Sequence, residues 1–134
     1  MYFDESRLEE TGELKVIGYF SIAMKTMKIP VLETMSKTLR KRLGNQSDSE
    51  QNLVVYLIGQ LGRDSSYSNN VLSGKKMLQD CYGLIAEARD IVGGRLILLE
   101  CKPAEKLCKF YEGEGYIDIT EESNGLKQYI RFIE

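Results

Sequence analysis

Apolar and polar positions along the chain change period several times, and each change marks an element. The turn signal Glu10-Thr11-Gly12-Glu13 is followed by Leu14-Lys15-Val16-Ile17-Gly18-Tyr19-Phe20-Ser21-Ile22-Ala23-Met24. Its β-branched and aromatic residues predict a long strand, hairpinned to whatever precedes it. After Pro30, the apolar residues Leu32, Met35, Leu39 and Leu43 recur at helical spacing until Gly44, which predicts a short amphipathic helix. A polar stretch from Gly44 to Asn52 reads as a surface loop. Leu53-Val54-Val55-Tyr56-Leu57-Ile58-Gly59-Gln60-Leu61 is almost continuously apolar, as expected of a strand covered on both faces.

A second polar loop, Gly62 to Ser73, leads into Met77, Leu78, Cys81, Tyr82, Ile85, Ala86 and Ala88, which keep a 3.6-residue period as far as Gly93-Gly94. The spacing predicts a helix from Gly74 to Val92. Arg95-Leu96-Ile97-Leu98-Leu99-Glu100-Cys101 reads as another buried strand. Pro103 suits the first turn of a helix carrying Leu107, Phe110 and Tyr111 and ending at Gly113 or Gly115. Tyr116-Ile117-Asp118-Ile119 and Tyr129-Ile130-Arg131-Phe132-Ile133, joined by a turn at Ser123-Asn124-Gly125, form a terminal hairpin. Strands alternating with helices, then a hairpin, give an α/β (α+β) sheet of mixed direction in one domain, 1–134, with no internal repeat.

Composition narrows the chemistry. The 134 residues carry 18 Lys plus Arg and 20 Asp plus Glu, a net charge of −2, and 43% are hydrophobic, enough for a sizeable core. No apolar run approaches the ~18 residues that span a bilayer, and the acidic start Met1-Tyr2-Phe3-Asp4-Glu5 is unlike a signal peptide. A cytoplasmic protein without a membrane partner is expected. There is no histidine, which excludes Ser-His-Asp and Cys-His nucleophile systems and HExxH zinc sites. Cys81, Cys101 and Cys108 form no CxxC pair and read as small buried hydrophobes, so no metal is expected. A sequence pI near 5.4 argues against nucleic-acid binding. Lys37, Arg40, Lys41 and Arg42 are a local exception, read as a solvated face or else as a substrate or partner contact.

A buried strand, a loop containing Ser65, Ser66, Ser68, Asn69, Asn70, Ser73 and Gly74, and then a long helix place free backbone N–H groups where an anion can bind. Lys75 and Lys76 in the first helical turn oppose the helix dipole, a cost that a bound diphosphate offsets. The competing reading is an ordinary helix capped by Ser73. Neither GxxxxGK[ST] nor GxGxxG is present, so nucleoside triphosphates and dinucleotides lose their main support.

Leu107-Cys108-Lys109-Phe110-Tyr111-Glu112-Gly113-Glu114-Gly115-Tyr116 resembles the L/F-Y-E-x-x-G-F/Y signature of the GNAT superfamily of N-acetyltransferases. Ile17-Gly18-Tyr19-Phe20-Ser21-Ile22 is similar to the family's third strand, and the resemblance runs from about Val16 to the C-terminal hairpin. It implies a GNAT-like mixed, mainly antiparallel sheet with helices on both faces. It further implies acetyl-CoA or coenzyme A as cosubstrate, bound where the family's fourth strand splays from the fifth. By that resemblance, the backbone of Leu61, Gly62 and Arg63 pairs with the pantetheine arm, and Asn69, Asn70, Ser73, Gly74, Lys75 and Lys76 cradle the pyrophosphate. Tyr111 matches the family's tyrosine, whose hydroxyl can reprotonate the leaving thiolate.

Two departures stand out. Asn69-Asn70-Val71-Leu72-Ser73-Gly74 keeps only the last glycine of the family's Q/R-x-x-G-x-G/A loop, and Ala104 replaces an asparagine that often contacts the cofactor. The strand Leu53 to Leu61 has no carboxylate, leaving Glu50 and Glu100 as candidate bases. Against the family pattern the front lacks a first strand and two helices, so an open sheet edge is expected to pair with a second copy in a homodimer. The expected function is acetyl-CoA-dependent N-acetyl transfer to a small-molecule or macromolecular amine. The alternative is a noncatalytic acyl-CoA-binding or protein-interaction module of the same fold.

Overall fold

The computed structural model describes residues 1–64, 66, 72–121 and 125–133. Along the chain these form β1 (Tyr2–Phe3), α1 (Glu5–Thr11), β2 (Val16–Lys28), α2 (Lys37–Gln46), β3 (Asn52–Arg63), α3 (Gly74–Val92), β4 (Leu96–Cys101), α4 (Glu105–Gly113), β5 (Ile117–Asp118) and β6 (Lys127–Phe132). The described strands make a six-stranded sheet in the order β1-β2-β3-β4-β6-β5. Every neighbouring pair is antiparallel except β3 and β4.

Alternation along the central strands explains their unbroken apolar sequences. Tyr56, Ile58, Ile97, Leu99 and Tyr129 pack under α3 and α4 with Leu78, Cys81, Ile85 and Tyr111. Leu53, Val55, Leu96, Leu98 and Ile130 pack on the opposite face with Leu43 of α2. Successive side chains point to opposite sides, so both sets must be apolar when helices cover both sides. A third cluster of Ile17, Leu72 and Met77 fastens the start of α3 to β2.

The structure departs from the sequence reading in several places. The predicted long strand, β2, pairs antiparallel with β1 before it, but through helix α1 and not a tight turn, and the expected turn at Gly12 is the left-handed cap of that helix. No residue of α1 is buried, so the helix leaves no periodic signature in the sequence. Helix α2 begins after its cap Ser36 and runs through Gly44 to Gln46, where a Cβ on Gly44 meets nothing within 4 Å. Leu32 and Met35 precede it, yet still pack against the same cluster as Leu39. Strand β3 continues through Gly62 to Arg63, and Pro103 lies just before the α4 cap Ala104. The terminal hairpin is present as β5 and β6, while Ser123 and Asn124 of its expected turn lie outside the described residues. No helix among the described residues is long and apolar enough to cross a membrane.

The C-terminus of α3 is anchored by Tyr56, whose hydroxyl donates to the carbonyl of Gly93. Gly94 follows with φ of +110°, and a Cβ there lies 2.7 Å from Tyr56 Cε2. Both backbone and space therefore require glycine. Gly94→Ala is expected to cost roughly 2 kcal/mol or more, read as a lowered denaturation midpoint at unchanged secondary structure. An unchanged midpoint contradicts this account of the anchor.

Candidate active site

The site begins with one surplus residue. Ser21 of β2 pairs with Gln60, but the next residue, Ile22, pairs with Ile58, so Gly59 is an extra residue on β3. Such a bulge bends and twists the strand that carries it, and glycine tolerates the bend best. On its other side β3 pairs with β4 only from Tyr56 to Ile58, opposite Ile97 to Leu99. Beyond that point β3 runs on to Arg63 beside β2, while Glu100 and Cys101 of β4 stay with Gln128 and Lys127 of β6. The two central strands diverge. From Gly59 onward, the β4-facing edge of β3 has no strand partner among the described residues.

A cavity of about 420 Å3 occupies the divergence, with Gly59, Leu61 and Gly62 along one wall and Glu100, Cys101 and Tyr111 on the other. Tyr111 is 4% exposed and held in an aromatic cluster, 5.1 Å from Phe110, 5.8 Å from Tyr116 and 6.2 Å from Tyr129 between ring centroids. Its hydroxyl has no hydrogen-bond partner among the described residues, and no buried side-chain oxygen is left unsatisfied. The hydroxyl therefore keeps contact with open space in the cleft. Burial pushes its pKa up to about 12, with Cys101 the next contributor, so it stays protonated at neutral pH.

The start of α3 is more occupied than its sequence suggests. Ser73 caps the helix by accepting from the Lys76 N–H at 3.1 Å. Lys76 Nζ donates to Asp80 at 2.8 Å, and the Tyr2 hydroxyl donates to the same carboxylate. The charge that opposes the helix dipole is thus balanced one turn along, at an i,i+4 partner. Gly74 faces the ring of Phe110, which a Cβ would approach to 3.3 Å. Arg63 donates from its guanidinium to the Leu72 carbonyl at 2.9 Å, tying the end of β3 to the helix start. Lys75 is exposed. Asn69 and Asn70 lie outside the described residues.

Of the two candidate bases, only Glu100 belongs to this region, where Lys25 Nζ lies 3.7 Å from its carboxylate. Glu50 precedes β3 at its far end, roughly 30 Å from Gly59 at strand rise, and cannot reach the cleft. The thiols are free. Burial raises Cys81 to about 12 and Cys101 to about 11, so neither is a thiolate at neutral pH. Among the described residues no group of three acidic, histidine or cysteine side chains could hold a metal. Sequence reasoning missed Tyr19 on the cleft wall, Lys25 beside Glu100, and the bulge itself. The lone glycine inside an apolar strand was the one available signal for the bulge.

The chain matches no protein-family model and no curated protein. Among solved structures it is similar to a tyrosine-to-phenylalanine mutant of the toxin AtaT bound to acetyl-CoA and the C-terminus of the antitoxin AtaR. The TM-score is 0.62 at 17% identity, over 91% of this chain and 62% of that one. AtaT complexed with acetyl-methionyl-tRNAfMet gives 0.63 at 20% identity, over 89% and 65%. A tyrosine-to-phenylalanine mutant of KacT gives 0.63 at 23% identity, over 87% and 62%. The fold is GNAT-like. The chain spans 62% to 65% of the length of these three proteins. In this GNAT-like sheet the lone parallel step, β3 to β4, is also the step that opens.

Burial is the largest cause raising Tyr111, Tyr116 and Tyr129 above the ordinary tyrosine range, so the folded state holds protons that the unfolded chain releases near pH ~10. Their contribution to stability is complete below that pH and is lost as the pH rises toward about 12. Denaturant midpoints are expected to fall steeply between about pH 10 and pH 12, with tyrosinate absorbance appearing as the chain unfolds. Equal midpoints across that window contradict the buried cluster.

Proposed function

We propose that the chain is an acetyl-CoA-dependent N-acetyltransferase acting on an amine. The observation that carries this reading is the divergence of β3 from β4 at Gly59 beside Tyr111. An extended acyl-pantetheine arm can pair with the open edge of β3 as a strand does, through the backbone of Leu61, Gly62 and Arg63. The residues at the start of α3, Ser73, Gly74, Lys75 and Lys76, together with Asn69 and Asn70, take the diphosphate. Support comes from AtaT, which has been solved with acetyl-CoA and with acetyl-methionyl-tRNAfMet.

In the reaction, the amine nitrogen attacks the thioester carbonyl, the C–N bond forms, and the C–S bond breaks. Backbone N–H groups beyond the bulge polarise the carbonyl as its oxygen gains charge. Glu100, with Lys25 Nζ 3.7 Å from its carboxylate, accepts the proton leaving the ammonium. Tyr111, raised to about 12, is a weaker acid than a thiol near ~8.5, so complete transfer of its proton is uphill by about 5 kcal/mol. Its role is to donate a hydrogen bond to the leaving thiolate, which then takes its proton from water. The three unpaired thiols suit the reducing cytoplasm, where we place the reaction. The sheet ends in the two-residue strands β1 and β5, edges that a second copy can extend into a homodimer.

One observation favours a noncatalytic acyl-CoA-binding or interaction module instead: Ser73, Phe110 and the Lys76–Asp80 pair already fill much of the diphosphate seat. Calorimetry with coenzyme A and acetyl-CoA, followed by thiol release over an amine panel, separates the readings. Binding with turnover is expected; binding without turnover selects the module, and no binding defeats both. Tyr111→Phe is expected to lower kcat tenfold or more while leaving coenzyme A affinity within about twofold. Glu100→Gln is expected to lower turnover most at the acidic end of the pH profile. Gly74→Glu, which adds a negative charge at the diphosphate seat, is expected to abolish cofactor binding.

A further inference from the structure

We propose that Cys101 and Cys108 are a reversible modification site, a paired dithiol beside the cleft that a small disulfide converts to an intramolecular disulfide. Cys101 is the last residue of β4 and lines the cleft wall. Cys108 stands seven positions on, in α4. Both are half-buried free thiols packed against the same core cluster, and their side chains share a hydrogen bond. Cys108 is also hydrogen-bonded to the Tyr129 hydroxyl, which reaches it from β6. Cys81 belongs to the same cluster but is fully buried on α3 and lines no part of the cleft. It is the internal control.

Two sulfurs in hydrogen-bond contact need only a short further approach to become bonded. The chain between them can supply it. Every residue from Lys102 to Leu107 is exposed, and Ala104, at the cap of α4, makes no side-chain capping bond. The start of α4 is therefore held less firmly than the start of α3, which Ser73 caps.

The chemistry is thiol–disulfide exchange. The Cys101 thiol, on the cleft side, gives its proton to solvent and attacks one sulfur of the incoming disulfide. The reagent's S–S bond breaks, and its first thiolate leaves and takes a proton from water. Cys108 then gives up its own proton and attacks Cys101 Sγ, expelling the second reagent thiol. Two protein S–H bonds are thus replaced by one S–S bond, and the reagent is reduced to two thiols. Lys127 lies opposite Cys101 on β6 and its ammonium favours the thiolate, while Asp118 and Cys108 oppose it. Burial outweighs them and holds Cys101 at about 11. The first attack is slow at neutral pH for that reason, but the reduced pair also lacks the stabilised thiolate that makes a disulfide easy to reduce.

The test incubates the reduced full chain, freed of reductant, with glutathione disulfide near pH ~8.5. Remaining thiols are alkylated, and trypsin cuts after Lys106, between the two cysteines. Peptides Leu96–Lys106 and Leu107–Lys109 are expected to be joined, two hydrogens lighter than their sum, with Cys81 alkylated. Cys108→Ser is expected to stop at a glutathione adduct on Cys101, and Cys81→Ser to behave as the unchanged chain; circular dichroism melts check that each variant folds. Phenylarsine oxide, which condenses with two neighbouring thiols and releases one water without a redox step, is expected at one equivalent to shield Cys101 and Cys108, but not Cys81, from alkylation. Absence of the joined peptides, a bond that includes Cys81, or a link between two chains each overturns the proposal, and equal shielding of all three thiols overturns the pairing. The outcome does not depend on the acyl-transfer reading, which coenzyme A calorimetry on the reduced chain decides separately.

Discussion

The inability of β3 to satisfy β2 and β4 at once governs the rest of the structure. Strand β2 holds β3 along its whole length, and it does so only by leaving Gly59 without an opposite residue. The bend that follows takes β3 away from β4, whose far end is held by β6 through Cys101 and Lys127. Neither strand can swing back without breaking an antiparallel ladder on its other side. The gap is thus a property of the sheet's connectivity, and no loop needs to move to create it. Exposed N–H and C=O groups along the gap must find water or a ligand, since leaving them buried and unpaired costs as much as a lost hydrogen bond.

What keeps the gap from collapsing is the layer beneath it. Tyr111, Phe110 and Tyr116 arrive on α4 and the turn that follows, and they pack against Tyr129 of β6 and the core face of α3. Rings of this size bury large areas with few rotatable bonds, so they wedge firmly. Arg63 on the Leu72 carbonyl, Phe110 against Gly74, and Tyr2 on Asp80 fix the start of α3 from three directions. The same contacts that hold the helix start also crowd it. Firm placement and a partly filled anion seat have one cause.

Sequence patterns revealed the elements whose burial imposes a period. Helix α3 has the bounds its apolar repeat predicted, and β4 differs by one residue, because both are packed against the core. Helix α1 was invisible for the opposite reason: with every side chain exposed or half-exposed, nothing in the pattern distinguishes it from a loop. Tyr111, Leu61 and Gly62 could be placed near one another because the family signature fixed the topology. Lys25 beside Glu100, and Phe110 filling the space at Gly74, depend on cross-strand register and side-chain direction, which no local pattern encodes. The distance of Glu50 from the cleft is equally a matter of which end of β3 it occupies.

Charge was the least legible property, because a total is insensitive to placement. A sum of −2 over 134 residues is compatible with an even mixture or with a sharply divided surface. Here ion pairs tie Lys25 to Glu100 near the cleft, Lys76 to Asp80 on α3, and Lys127 to Asp118 across the terminal hairpin, so those acids neutralise cations locally. Arg89, Arg95 and Arg131 are separated in sequence, belong to different elements, and have no such partners among the described residues. The fold brings them to the start of β4 beside Arg42. Net charge is therefore a poor guide to partners in a chain whose acids and bases are sorted by topology.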